Sequence, residues 1–166
     1  MTRWTGVRRP SLAELYRLHS PGALRLAYVL LGDDDLAQDL VHDAFLRLFG
    51  RYRDLRDTDH FEAYLRRTVI NLSKNHHRRS GNERSFLARS RPADPVIQEP
   101  NDGEEVTEAL MRLPGRQRAA LALRYLEDLS EQQTADAMDT TVAAVKSLTQ
   151  RGSKALREQL GGSSDD

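Results

Sequence analysis

Apolar residues along this chain recur at three- and four-residue spacing, the period of helices, and no stretch of useful length shows the alternation of a strand. Ser11-Leu12-Ala13-Glu14 has the form of a capping box and opens a face of Leu12, Leu15, Tyr16 and Leu18. Ser20-Pro21-Gly22 either breaks that helix or restarts it, after which Leu24, Leu26, Ala27, Leu30 and Leu31 run to Gly32 as the stop. A second face, Leu36, Leu40, Val41, Ala44, Phe45 and Leu48, follows Asp33, Asp34 and Asp35, whose carboxylates suit the positive end of a helix. Arg51 to His60 lacks periodicity and reads as a loop, longer than most connections in a bundle. Phe61, Tyr64, Leu65, Thr68, Val69 and Leu72 then define a further helix.

Gly81 to Gly103 carries three prolines and few large apolar residues, so it predicts an extended linker. Helical spacing resumes over Val106 to Leu113, and Pro114 starts a helix through Leu121, Leu123, Tyr125 and Leu126. Ser130-Glu131-Gln132-Gln133 is another capping box, for a helix that turns Ala135 and Met138 inward and ends near Asp139, a residue that tolerates the left-handed conformation. Thr141 caps the next helix, whose stripe is Val142, Val145 and Leu148, while Lys146, Ser147, Gln150, Arg151 and Lys154 fall largely off it. This is the pattern of a helix-turn-helix with a basic second helix. The expected architecture is all-α, with two small helical domains: 1–80, a flexible linker 81–105, a helix-turn-helix domain 106–160, and a disordered tail 161–166.

A formal net charge of zero over 166 residues would argue against a nucleic-acid partner, but the charge lies in blocks. Asp33 to Asp43 holds five acids and no base; His60 to Arg91 holds eight bases against two acids; Asp94 to Glu108 holds six acids and no base. Separate surfaces for separate partners are implied. The chain has no cysteine, no signal peptide and no apolar run long enough to span a bilayer, which suits a soluble cytoplasmic protein without membrane insertion. His76 and His77 are adjacent and therefore point apart, and with His60 they supply no metal spacing. Nucleophile contexts and phosphate-cradling glycine loops are also missing, so neither enzyme activity nor a cofactor is expected. An ordinary helical hairpin with solvated charges, or a free-standing helix-turn-helix regulator, accounts for the C-terminal part. Neither gives the acidic helix or the aromatic and basic helix a purpose.

The order of features resembles the extracytoplasmic-function sigma factors of the bacterial sigma-70 family over nearly the whole chain. Gly32-Asp33-Asp34-Asp35-Leu36-Ala37-Gln38-Asp39-Leu40-Val41-His42-Asp43-Ala44-Phe45 is similar to the family segment that grips the β′ clamp helices. Tyr64-Leu65-Arg66-Arg67-Thr68-Val69-Ile70-Asn71 with Arg78-Arg79 resembles the segment that opens and reads the −10 element. Leu113-Pro114-Gly115-Arg116-Gln117-Arg118, Leu123-Arg124-Tyr125 and Val145-Lys146-Ser147 resemble the domain that reads the −35 element. His42, Tyr64, Asp139 and Ala144 stand where the family more often has Gln, Trp, Gly and Thr. The resemblance implies core polymerase contacts at Asp39, Leu40, Asp43, Phe45 and Arg47, and −10 contacts at Tyr64, Arg67, Asn71, Lys74, Asn75, Arg78 and Arg79. It implies −35 contacts at Thr141, Ala144, Lys146, Ser147, Gln150, Arg151 and Lys154. The implied partners are core RNA polymerase, through the β′ clamp helices and the β flap, promoter DNA and an anti-sigma factor, with a monomer when free or held by that factor.

Overall fold

The computed structural model describes residues 8–52, 60–87 and 102–162, which form seven α-helices and no strand. The first unit contains α1 (Leu12–Leu31), α2 (Asp34–Gly50) and α3 (Phe61–Leu87). Ser11 Oγ accepts from the Glu14 backbone N–H while a Glu14 carboxylate oxygen accepts from the Ser11 N–H, so the capping box is complete. α1 is continuous through Pro21, so the helix neither breaks nor restarts there as the sequence suggests. The ring removes a backbone bond and crowds the preceding turn, a cost of about 3 kcal/mol. Burial of Leu15 before it, and of Leu26, Val29 and Leu30 after it, outweighs that cost at about 1.5–3 kcal/mol per large side chain. Gly32 ends the helix in the left-handed conformation at φ 74°, and its N–H donates to Tyr28 O.

Asp33 caps α2, one carboxylate oxygen accepting from the N–H groups of Asp35 and Leu36 at 2.9 and 3.0 Å. Leu36, expected on the apolar face, is 37% exposed, and Ala37 is buried in its place. Phe45 sits among Tyr16, Phe49 and Phe61 at ring separations of 4.8, 5.5 and 6.1 Å, an aromatic centre that joins all three helices. α3 continues to Leu87 and α4 starts at Asp102, so both helices enter the 81–105 segment read from composition as linker. The first proline after Gly81 is Pro92, and one glycine costs a helix only about 1 kcal/mol. The remaining linker residues 88–101, the loop residues 53–59 and the tail residues 163–166 lie outside the described residues.

The second unit contains α4 (Asp102–Met111), α5 (Gly115–Leu121), a five-residue π-helical segment (Ala122–Leu126), α6 (Glu131–Met138) and α7 (Val142–Gly161). In the π segment the Glu127 N–H donates to Ala122 O, and the wider turn leaves Tyr125 and Leu126 exposed while Leu123 is fully buried. The apolar run expected through Leu126 therefore turns outward after Leu123. α7 packs on α5 and α6 through Val145, Leu148 and Gly152. The two units are not separated: their buried apolar side chains form one continuous cluster, with α1 against α4 and α5, and α3 against α6.

Candidate nucleic-acid interface and polymerase-binding face

The helix-turn-helix is built by caps. Ser130 and Gln133 complete the capping box of α6, at 2.9 and 3.1 Å. At its other end Asp139 adopts φ 53°, ψ 52°, with the Thr140 N–H on Ala135 O and the Asp139 N–H on Asp136 O, the paired bonds of a Schellman motif. Thr141 Oγ1 then accepts from the Ala144 N–H and starts α7. On a helical wheel Ala144, Lys146, Ser147, Gln150, Arg151 and Lys154 span about 160°, opposite Val145, Leu148 and Gly152. Lys146, Gln150, Arg151 and Lys154 are exposed, and Ala144 and Ser147 half-buried. Lys146 Nζ lies 3.7 Å from Glu131, an ion pair that leaves more than half of the lysine side chain in solvent.

The stripe on α3 is equally regular. Tyr64, Arg67, Asn71, Lys74, Asn75, Arg78 and Arg79 fall within about 140° of the helix circumference. All are exposed except Lys74, which is half-buried because its ammonium donates to Met138 O at 3.0 Å. Phe61, Leu65, Val69 and Ile70 occupy the opposite side, buried, and anchor the helix. Asn71 and Asn75 share a face one turn apart, each presenting an amide with a donor and an acceptor.

The set expected on α2 needs correction. Leu40 and Phe45 are 9% and 1% exposed: they belong to the core and cannot meet a partner without unfolding it. The outward face consists instead of Asp39, His42, Asp43, Leu46 and Arg47, with Arg47 Nε 3.3 Å from Asp43. Leu46, 56% exposed, replaces the buried pair as the apolar member of this face. Its position three residues from Asp43 and seven from Asp39 was available in the sequence.

Two residues on no expected list tie the site together. Arg118, 9% exposed, donates to Leu30 O at 3.2 Å and to Leu113 O at 3.3 Å. Glu127 meets Arg66 at 3.4 Å, with both side chains largely buried. His77 Nε2 lies 3.0 Å from Leu30 O, a structural bond. Among the described residues no three His, Asp or Glu side chains gather as metal ligands, and no helix is long and apolar enough to cross a membrane.

An all-helical protein with a capped helix-turn-helix, a second aromatic and basic helix and an acidic helix face presents the kind of surface that DNA-binding proteins use. Residues 15–83 match sigma-70 region 2 and residues 103–156 match sigma-70 region 4. The chain is 33% identical over 150 residues to the RNA polymerase sigma-E factor of Streptomyces coelicolor, covering 89% of this chain and 84% of that protein. It is 32% identical over 161 residues to the ECF RNA polymerase sigma factor SigE of Mycolicibacterium smegmatis, covering 91% and 62%. The sigma factor RpoE from Bartonella quintana, solved with the anti-sigma factor NepR, has the same fold, with a TM-score of 0.74 at 22% identity over 90% of this chain and 96% of that one. The chain belongs to the extracytoplasmic-function group of the sigma-70 family. It is an RNA polymerase sigma factor that directs core polymerase to promoters, and the match to both regions supports this reading over a free-standing regulator.

Proposed function

We propose that the work of initiation is divided among three faces. The outer side of α2, Asp39, His42, Asp43, Leu46 and Arg47, docks on the β′ clamp helices, its mixed polar and apolar character suiting a protein interface. The α3 stripe captures the −10 strand, and α7 lies in the −35 major groove while the second unit meets the β flap. On α7, Lys146, Arg151 and Lys154 hold phosphates and fix register, and Ser147 and Gln150 face base edges. Ala144 offers a methyl-sized apolar contact without a hydroxyl. An anti-sigma factor is a fitting partner, since the sigma factor RpoE is solved with the anti-sigma factor NepR, and CnrH, of the same fold, with the cytosolic domain of CnrY. The chain acts in the cytoplasm as a monomer, by binding rather than by catalysis, and without a cofactor.

The observation that carries the −10 assignment is the pair of exposed amides, Asn71 and Asn75, flanked by Tyr64 on one side and Arg78 and Arg79 on the other. A base drawn out of a duplex loses its stacking and its partner; an aromatic ring replaces the first and amides the second. The test uses holoenzymes of Asn71→Ala, Asn75→Ala and the double variant on a duplex promoter and on one with a pre-melted −10 bubble. Slower opening of the duplex and an altered −10 base preference, with core binding intact, are expected. Normal opening with unchanged preference in the double variant removes the assignment.

A further inference from the structure

Between the two units lies a cleft of about 1110 Å³ to which α1, α3, α4, α5 and α6 all contribute. Five cations line it: Lys74 and Arg78 from α3, and Arg112, Arg116 and Arg118 from the second unit. Asp139 is the sole carboxylate among the described residues of the lining, and it lies 4.0 Å from Arg67, a cation that is not part of the lining. Arg118 is the most buried of the five, held by donating to Leu30 O and Leu113 O, and Lys74 is half-buried through its bond to Met138 O. Arg78, Arg112 and Arg116 stand exposed in the walls. Apolar surface lies beside these charges, since Leu31 and Met111 are half-buried and Pro114 is exposed.

Cations drawn from two sides of one cavity repel each other, and walls of low dielectric focus their field instead of screening it. An anion that carries several charges close together relieves that repulsion at more than one arginine. Guanidinium forks match the oxygens of a phosphate group in particular, because the planar donors pair with two oxygens at once. The size of the cleft suits a compact ligand: sites of about 300–1,000 Å³ cover most of the surface of a small organic molecule, whereas a duplex could only lie across the mouth. The apolar part of the lining gives such a molecule something that inorganic phosphate cannot use, a place to bury a flat ring.

We infer that this cleft is a binding site for a nucleotide carrying two or more phosphates. Arg78, Arg112 and Arg116 hold the phosphates, with Lys74 and Arg118 adding charge behind them, and the base lies against Leu31, Met111 and Pro114. The inference uses none of the roles proposed above for α2, α3 and α7. Because the site takes side chains from both units, it is complete only where they touch, and a bound nucleotide biases the chain toward that arrangement.

The test titrates the full-length factor at physiological salt with ATP, inorganic tripolyphosphate, adenosine and inorganic phosphate, by calorimetry. ATP should bind most tightly, tripolyphosphate at least about fivefold more weakly, and adenosine and phosphate more weakly still. Arg112→Glu and Arg116→Glu, both at exposed positions, should each weaken ATP at least about tenfold, while Arg157→Glu, the same charge change on α7 outside the lining, leaves it level. Helical circular dichroism confirms that each variant is folded. No ATP binding below about one millimolar overturns the site. So does a loss in Arg157→Glu equal to that in Arg112→Glu, which would spread the nucleotide over the basic surface at large. Tripolyphosphate binding as tightly as ATP overturns the nucleotide assignment, because the apolar wall then contributes nothing. A short single-stranded DNA that binds more tightly than ATP, with the same dependence on Arg112, makes the cleft a path for a strand and overturns it as well. Any of these failures leaves the three faces proposed above untouched.

Discussion

Replacing Gly152 by alanine sets two effects of opposite sign against each other inside α7. In a helix interior alanine is favoured over glycine by about 0.8–1.0 kcal/mol, so at an exposed position the change would stabilise. Gly152 is buried where α7 crosses α5. A Cβ there would stand 2.9 Å from Leu121 Cδ1, 3.2 Å from Leu121 Cγ and 3.4 Å from Gln117 Cβ. Carbon atoms prefer about 3.5–4.0 Å, so the nearest contact has to lengthen by about half an ångström or more. Leu121 is 3% exposed and held in the apolar cluster, so its side chain has little room to turn aside and the strain is shared with the α5–α7 spacing. Overpacking of this kind costs about 1–3 kcal/mol, which leaves a net loss of about 1 kcal/mol after the propensity gain.

Urea unfolding of the full chain, followed by helical circular dichroism, measures that loss as a lower midpoint at unchanged slope. Gly152→Val adds two more methyl groups and gives up propensity, so its loss should exceed about 2 kcal/mol. Because Gly152 lies on the wheel opposite Lys146, Gln150 and Arg151, a displaced α7 should also weaken −35 duplex binding in both variants. A midpoint for Gly152→Ala that rises by the full propensity gain would show that Leu121 yields freely, and the close approach would no longer explain the glycine.

On α2, Phe45→Ala should cost about 3–5 kcal/mol of stability, because it empties the centre of the aromatic cluster, whereas Leu46→Asp should leave the unfolding midpoint nearly unchanged and weaken capture of core polymerase in a pull-down. Loss of core binding by a stably folded Phe45→Ala, with Leu46→Asp unaffected, would return the docking role to the buried residue. Asp139→Gly should raise stability by about 0.5–1 kcal/mol, since the left-handed conformation strains any residue with a Cβ, part of the gain being returned through the greater freedom of glycine in the unfolded chain. The same change removes the carboxylate that lies 4.0 Å from Arg67, and a destabilised variant would mean that the ion pair outweighs the backbone strain.

Local structure was legible wherever it is enforced by neighbours in sequence. Ser11 with Glu14, Ser130 with Gln133, Thr141 with Ala144 and Gly32 at the end of α1 each satisfy backbone groups within a few residues, and each forms as the sequence indicates. Pro21 defeated the same logic because its cost is local and its compensation is tertiary: nothing within four residues reveals how much apolar surface α1 buries on either side. The end of α3 went the other way. Composition marked Gly81 as the edge of a linker, but a helix already anchored by Phe61, Leu65, Val69 and Ile70 propagates at little cost through residues with no proline among them. On α2 the apolar pattern and the segment expected to meet polymerase overlap, and only burial separates Phe45, which holds the bundle, from Leu46, which faces out.

What no reading of spacing could supply is the contact between units, because its partners are far apart in sequence and chemically ordinary. Arg118 reaches back 88 residues to Leu30, and Glu127 reaches back 61 to Arg66. In the sequence each is one more charge on a helical segment, and an exposed charge is the common case. Asp139 shows why the omission matters. As a turn residue it is a poor choice, since glycine would adopt φ 53° without strain; the carboxylate that glycine lacks is the group facing Arg67. The local cost and the long-range contact belong to the same side chain, so the turn that positions α7 also touches the basic stripe of α3. A residue that looks like a tolerated departure within its own motif gains a physical reason once the second unit is set beside the first.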